Sequence, residues 1–379
     1  ISSDSWPIYI SLQKDGILFK MRRTQDIPDK KSATMFFQDC KLAHQAQITG
    51  IRHSIKEILP PDLLDLTQLQ KEANIRYGFT ASEVYDIAQS LYEKKLISYP
   101  RTSSRYLTED VFDSLPPIMA RLLSWELFPA AKGTASIDIS SLFRHVINAE
   151  KANVHHAIII TGIRPGNLPE KEMLVYRLVA GRMLEAFMPP CRIETTDIEA
   201  ICAAQHFKAE QTRIIEAGWH DVFMNSDIIP KSRYSVNELP EVEKGDTLNV
   251  CGRNLVHKKQ LPVNPFTDAE LVEYMELNGL GTVSSRTNII RTLVNRKYIR
   301  YSGKYIVPTP KGMFTYETIR GKKIADTSLT ADWEKQLAGL ESGMITRQDF
   351  LNRIRTLAKE MTDDIFNTYS QKEKVSILK

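Results

Sequence analysis

Two proline pairs set the plan of this chain. Pro60-Pro61 and Pro189-Pro190 bracket a long stretch of helix-forming sequence, and the sequence outside both brackets reads as strand. The proline ring fixes φ and pushes the preceding residue out of the helical region, so no regular element runs through either pair. The economical arrangement is a helical domain over 62–188 inserted into a β domain made of 1–61 and 189–260, tied by two strands of chain that can swing as a unit. Two ordinary linkers would leave the same prolines. Beyond 260 the pattern turns helical again to the end, and 379 residues exceed one ordinary domain. The expected fold class is α+β multidomain.

Local patterns fill in this plan. Residues 1–59 read as strands, with Ile8–Leu12 and Ile17–Met21 flanking the hairpin signal Lys14-Asp15-Gly16 and an Ile-rich run over Ala46–Leu59. The block 62–188 opens with a hydroxyl-x-x-Gln capping box at Thr67-Gln70 and a second box at Thr80-Glu83. Val84, Ile87, Ala88 and Leu91 then line one helix face, and Gly78 separates the two helices as in a helix-turn-helix. Leu96–Tyr99 reads as the strand that follows, and Val154–Thr161 as an apolar run. A helix is expected over Glu170–Phe187. Strands return at Thr195–Ile201, Phe207–Ile215 and Thr247–Cys251. Thr267-Glu270 is a third box, and a helix runs from about Thr287 to Arg296. A hairpin or wing covers Tyr298–Val307, Thr330 caps a further helix, and Phe350–Met361 marks the last one.

A short internal repeat links the two helical regions. Ser90–Tyr99 aligns with Thr292–Tyr301, both ending a helix in a basic pair and entering Leu/Tyr-Ile-x-Tyr. Two winged-helix-like modules in one chain favour nucleic acid over a small substrate; chance likeness between two helix–strand junctions is the plain alternative.

Composition narrows the class of partner. Hydrophobic content of 42% and charged content of 25% are those of a globular chain, and the net charge of +4 permits nucleic acid without demanding it. No apolar run reaches membrane-span length, and the N-terminus lacks a signal-peptide profile. Cys40, Cys191, Cys202 and Cys251 are scattered, which argues against a zinc ribbon and for a reducing, cytoplasmic setting. There is no D-x-D and no acidic cluster after a parallel strand, so no metal ligand is assigned.

Three constellations could carry chemistry. Lys94–Tyr106 holds Tyr99 between Ser98 and Pro100, with Lys95, Arg101 and Arg105 around it. A phenol oxygen beside a guanidinium suits attack on a phosphodiester, the fixed charge offsetting what develops on the phosphoryl oxygens. A half-buried packing tyrosine in a solvated basic turn is the plain alternative. His155-His156 lacks a second ligand pair for a metal; a hydrogen-bonded structural histidine and a phosphate contact both remain open. Asn278–Arg286 offers Gly279, Gly281, Thr282, Ser284 and Ser285 at a helix N-terminus, a phosphate site or a simple cap. Neither the Walker spacing nor a dinucleotide fingerprint is present.

Taken together these stretches resemble the type IA DNA topoisomerases, in the bacterial topoisomerase III-like branch. The resemblance rests on Leu66-Thr67-x-Leu69-Gln70-x-Glu72-Ala73-Asn74, Phe79-Thr80-Ala81, Leu96–Thr102, His155-His156-Ala157-Ile158, Gly279–Arg286 and Arg296–Ile299, in family order. It implies an isomerase that cuts one strand through a 5′-phosphotyrosine, passes another strand and religates, relaxing or decatenating DNA. Tyr99 matches the nucleophile, Arg101 the arginine that stabilises the scissile phosphate, and His155 the histidine near the DNA backbone. Lys95, Arg105, Gly281, Thr282, Ser284, Ser285 and Arg286 fall where DNA contacts are implied. The segment 62–188 matches the helical gate domain, 1–61 with 189–260 the β hinge domain, and 261–379 part of the DNA-binding domain. Ser103 stands where the family has an acidic residue, and Ile160 where it has proline. The resemblance also implies a metal-binding TOPRIM domain ahead of Ile1. The expectation is therefore a fragment that binds single-stranded DNA as a monomer, is inactive alone, holds no metal, and uses Mg2+ only within its parent. A non-catalytic winged-helix accessory protein, with Tyr99 stacking on bases, is the rival reading; a tyrosine recombinase would need its tyrosine near the chain end.

Overall fold

The computed structural model of the chain describes residues 4–25, 27–125, 127–128, 144–152, 155–224, 239–259 and 264–377. In chain order the elements are β1 (Ile8–Lys14), β2 (Ile17–Arg23), α1 (Lys30–Leu42), β3 (Gln45–Ile58), α2 (Leu66–Tyr77), α3 (Ala81–Glu93), α4 (Glu109–Asp113), α5 (Leu115–Ser124), α6 (Ala149–Ala152) and α7 (Glu170–Phe187). They continue with β4 (Cys191–Cys202), β5 (Gln205–Glu216), α8 (Asp221–Met224), β6 (Thr247–Leu255), α9 (Asp268–Leu277), α10 (Arg286–Asn295), β7 (Ile299–Ser302), β8 (Tyr305–Pro308), α11 (Pro310–Ile319), α12 (Thr327–Glu341) and α13 (Arg347–Ile377). The chain divides into two compact units, one of Ile1–Asp62, Met119–Val146 and Gly181–Asn264, the other of Leu63–Ile118, Ile147–Ala180 and Pro265–Lys379.

The first unit is built on a closed antiparallel barrel of order β1-β2-β5-β4-β3-β6. Asp15 and Gly16 join β1 to β2 with φ of 52° and 81°, the left-handed pair that a two-residue hairpin turn requires. Alternate residues Ile8, Ile10 and Leu12 of β1 are fully buried and meet Phe19, Met21, Ile48, Ile198 and Phe207 in the barrel core. Ile58 pairs with Cys191, so the segments on the inner side of the two proline pairs leave and re-enter one strand pair side by side.

One expectation for residues 1–59 fails here, because 30–42 is the helix α1 rather than strand. Asp29 caps it by accepting the Ser32 amide at 2.8 Å. Ala33, Phe36, Phe37 and Cys40 recur at helical spacing and pack on the barrel core, so the 3.6 period overrides the extended reading. Val154, which begins the expected apolar run, lies outside the described residues; Ala157–Ile160 is buried as that run requires.

The second unit starts from α2 and α3. The N-cap of α2 is Asp65, whose carboxylate accepts the Gln68 amide, so Thr67 is a buried residue of the first turn and not the cap. A carboxylate at N-cap both accepts an orphan N–H and meets the positive helix end. The boxes at Thr80 and Thr267 are formed as expected. For α12 the cap is Asp326, and Thr330 sits inside the helix. Leu96–Tyr99 makes a single bridge, Ile97 to Ile160, rather than a regular strand.

The repeat extends well beyond the ten residues that revealed it. Leu64 aligns with Phe266, Thr80 with Thr282, Lys95 with Lys297 and Tyr99 with Tyr301 without a gap. The hydrogen bonds repeat as well. Lys95 and Lys297 both turn left-handed, at φ 58° and 62°. Behind them the Leu96 amide donates to Leu91 and the Tyr298 amide to Leu293, the six-residue closure of a helix C-terminus. The amides of Thr161 and Thr309 then donate to the carbonyls of Leu96 and Tyr298 at 3.1 and 3.0 Å, and their hydroxyls to those of Lys95 and Lys297, each at 2.6 Å. The second copy closes as the β7–β8 hairpin. Ala81, Val272, Met275, Ile290 and Ile306 form a shared core drawn from both copies. Buried Gln70 bonds Thr287 at 2.9 Å, and Asp268 accepts the Ala81 amide.

Candidate active site

Tyr99 is half-buried on the extended segment that follows α3. The segment is zipped to 157–161: Ser98 donates its amide to Ile159 at 2.8 Å and its hydroxyl to Ala157 at 3.1 Å, while accepting the Ile159 amide at 3.0 Å. With both neighbours fixed, the Tyr99 ring settles between Tyr92, edge-on at 5.4 Å between centroids, and His155 at 4.5 Å. Its hydroxyl has no hydrogen-bond partner among the described residues. The backbone beyond is held by Thr102, which is buried, accepts the Leu66 amide at its carbonyl and donates its hydroxyl to His155 O at 2.9 Å.

Arg101 turns toward α3. One Nη donates to Gln89 Oε1 at 3.1 Å, and the guanidinium carbon lies 5.1 Å from the Tyr85 ring centre. Its Nε is buried without a partner. Arg101 and Tyr85 line a cavity of about 540 Å³ together with Ser284, Ser285, Asn288, Ile289, Thr292 and Leu293. The sequence candidates from two distant stretches thus meet around one guanidinium. Such a cavity, with an arginine, two hydroxyls and a helix start on its wall, suits a phosphate-bearing chain.

The other candidates are not among its lining residues. Lys95 is exposed in its left-handed turn. Arg105 donates its Nε to Asp65 at 2.6 Å, tying the tyrosine segment to the start of α2. Asp65 is 1% exposed, and burial pushes its carboxyl up although the Gln68 amide and Arg105 pull it down. Gly281 needs its left-handed φ of 71°, and a Cβ there would stand 2.8 Å from Ser285 Oγ. Thr282 lies in the turn before α10, whose N-cap is Ser285, and its amide donates to Ser285 Oγ at 2.8 Å. Arg286 is 8% exposed and reaches Glu276 at 3.4 Å, so it faces the interior and not the cavity. His156 points Nδ1 at its neighbour Ala157 O, which leaves His155 as the histidine against Tyr99.

Sequence reading passed over Tyr85, Gln89 and Tyr92. The signal was available: with Glu93 they fall at i, i+4, i+7 and i+8, a polar and aromatic stripe next to the buried stripe of Val84, Ala88 and Leu91. Among the described residues no group of three or more His, Cys, Asp or Glu side chains is arranged to hold a metal ion. The described residues do not fit a magnesium site. No helix is long and apolar enough to cross a membrane among those residues.

Barrel and helical repeat together make an α+β protein, and comparison with known proteins shows its family. A family profile described as "DNA topoisomerase" matches residues 1–352, and the chain belongs to that family, in its type IA, topoisomerase III-like branch. It is 32% identical to DNA topoisomerase 3 of Bacillus licheniformis over 84% of this chain and 47% of that protein. To DNA topoisomerase 3 of Bacillus subtilis it is 30% identical over 86% of this chain and 48% of that one. The chain therefore spans about half the length of the curated relatives it matches. The fold resembles that of full-length topoisomerase I from Thermotoga maritima with a TM-score of 0.72 at 21% identity, over 95% of this chain and 59% of that one.

Proposed function

We propose that this chain supplies the nucleophile-bearing part of a type IA DNA topoisomerase. Tyr99 Oη attacks a backbone phosphorus of single-stranded DNA. The P–O3′ bond breaks as the P–Oη bond forms, the phenol proton leaves, and the 3′ oxygen takes up a proton to depart as a hydroxyl. Religation runs the same steps backwards. Arg101 offsets the charge that grows on the phosphoryl oxygens, and His155 packs against the tyrosine ring where a backbone phosphate would pass. Ser284 and Ser285 offer hydroxyls to the same strand. Residues 62–188 act as the moving gate and 1–61 with 189–260 as its hinge. Residues 261–379 hold the strand, and the two repeat copies serve as winged-helix-like modules. The acidic magnesium site comes from a segment outside the residues described.

What supports the reading best is the meeting of Arg101 with the start of α10 around one cavity, on the same segment as Tyr99. The test is covalent capture of a 3′-end-labelled single-stranded oligonucleotide by the complete protein, read on a denaturing gel. The wild type gives a protein-linked band. Tyr99→Phe gives none, and Arg101→Ala gives about a hundredfold less. Capture retained by Tyr99→Phe overturns the assignment. Binding without any capture by the wild type favours a non-catalytic strand-binding protein instead.

A further inference from the structure

A long arginine stabilises a transition state only if it is held in place before charge develops. On α3 a stripe of side chains is arranged to do this. Tyr85, Gln89 and Glu93 follow one another at i, i+4 and i+8. Tyr85 offers its ring face to the Arg101 guanidinium, and Gln89 Oε1 accepts from an Arg101 Nη at 3.1 Å. Gln89 Nε2 donates in turn to Glu93 Oε1 at 2.8 Å. That second bond settles which way the amide faces. Only with its nitrogen toward the carboxylate and its oxygen toward the guanidinium does it satisfy both neighbours. The buried Arg101 Nε has no partner in this arrangement, and the guanidinium borders the cavity.

We propose that Gln89 is a positioning residue for Arg101, a neutral acceptor that orients the guanidinium without cancelling its charge. This rests on the reading of Arg101 given above. The amide is the chemistry the task needs. A carboxylate at this place would hold the arginine as firmly, but its negative charge would compete with the phosphate for it. Glu93, one helical turn further, supplies the anchoring charge at a remove, with the amide between. The same helix face also presents Tyr92 to the Tyr99 ring, so α3 aligns nucleophile and counter-charge together.

Single-turnover cleavage by the complete protein tests this, measured beside oligonucleotide affinity and the thermal unfolding midpoint. Gln89→Ala is expected to cleave about tenfold more slowly, with affinity changed less than about twofold. Gln89→Glu is expected to be slower still, although its oxygen can keep the contact. In an Arg101→Ala background Gln89→Ala is expected to add nothing, because the two residues act as one unit. Gln89→Met preserves volume and replaces Gln89→Ala if the latter unfolds early. A Gln89→Ala or Gln89→Met rate within about twofold of wild type, a Gln89→Glu rate at or above wild type, or additive losses in the double variant overturns the proposal. A wild-type rate for Arg101→Ala would instead refute the reading of Arg101 itself, which keeps the two failures distinct.

Discussion

Replacing Asp65 by alanine should loosen the start of α2 and the segment 101–106 together. The carboxylate accepts the Gln68 amide at 2.7 Å and Arg105 Nε at 2.6 Å. Losing an N-cap costs about 1 kcal/mol. The charge-assisted bond to Arg105 would add roughly 1.5–3 kcal/mol in full burial. The Arg105 side chain is 35% exposed and can turn to water, which reduces that part to about 1 kcal/mol. Asp65→Ala should therefore cost about 2 kcal/mol, and Asp65→Asn, which still accepts one N–H, about 1 kcal/mol. The pH dependence has a definite sign. Burial raises the Asp65 carboxyl above its ordinary 3.8, so its contribution is full below that value and declines as pH rises through the raised one. The margin of wild type over Asp65→Asn should be widest near pH 4 and narrowest at pH 7. Amide hydrogen exchange at Leu66, Gln68, Ser104 and Ala157 reads the local effect, with about thirtyfold faster opening expected for Asp65→Ala at neutral pH. Equal acceleration in both variants, or a margin that widens with pH, would refute the reasoning.

Two further outcomes follow from geometry elsewhere in the same unit. A Cβ on Gly312 would overlap the Tyr298 carbonyl, which is fixed by accepting both the amide and the hydroxyl of Thr309. Gly312→Ala should cost about 2–3 kcal/mol in denaturant unfolding followed by Trp333, and a loss under 0.5 would show that α11 shifts freely. Asp268 is 2% exposed, accepting the Ala81 amide and the Tyr301 hydroxyl, and burial raises its carboxyl, with nearby Glu83 adding to the effect. Asp268→Asn can accept the same amide and donate to the Tyr301 oxygen. Its melting temperature relative to wild type should climb as pH rises from 4 to 8, since the wild-type carboxyl loses stability over that range; a falling difference would contradict this.

The parts of this molecule that could be read from the chain are those set by local rules. Thr80 and Thr267 were legible because hydroxyl and glutamate sit three apart, and Asp15-Gly16 because two left-handed residues make the turn. Pro60-Pro61 and Pro189-Pro190 marked where β3 ends and β4 begins. Asp65 was missed as a cap because Thr67 and Gln70 imitate a box, and tertiary burial of both residues decided against it. The helix α1 was missed because it lies between strand-like runs, although Ala33, Phe36, Phe37 and Cys40 recur at helical spacing. Barrel closure could not be read at all, since it depends on strands far apart in sequence finding one register. At the candidate site, Tyr99 and Arg101 drew notice as a phenol beside a guanidinium, while His155 was singled out only by the family resemblance. The Gln89 contact did not, because a glutamine on a helix announces nothing until its partner is seen.

The two copies of the repeat must also form on different schedules. The Thr309 hydroxyl reaches the Tyr298 carbonyl across 11 residues, whereas the matching bond from Thr161 to Leu96 spans 65. Closing the longer loop carries an extra entropic cost of about 1.6 kcal/mol, and its contacts wait on a longer search. The hairpin copy can therefore close early from local sequence and stand ready as a surface. The copy that bears Tyr99 completes its frame late, against the α9 and α10 helices of its finished twin. A chain built this way sets the surroundings of Tyr99 among the last things it acquires, after the hairpin of the second copy has closed.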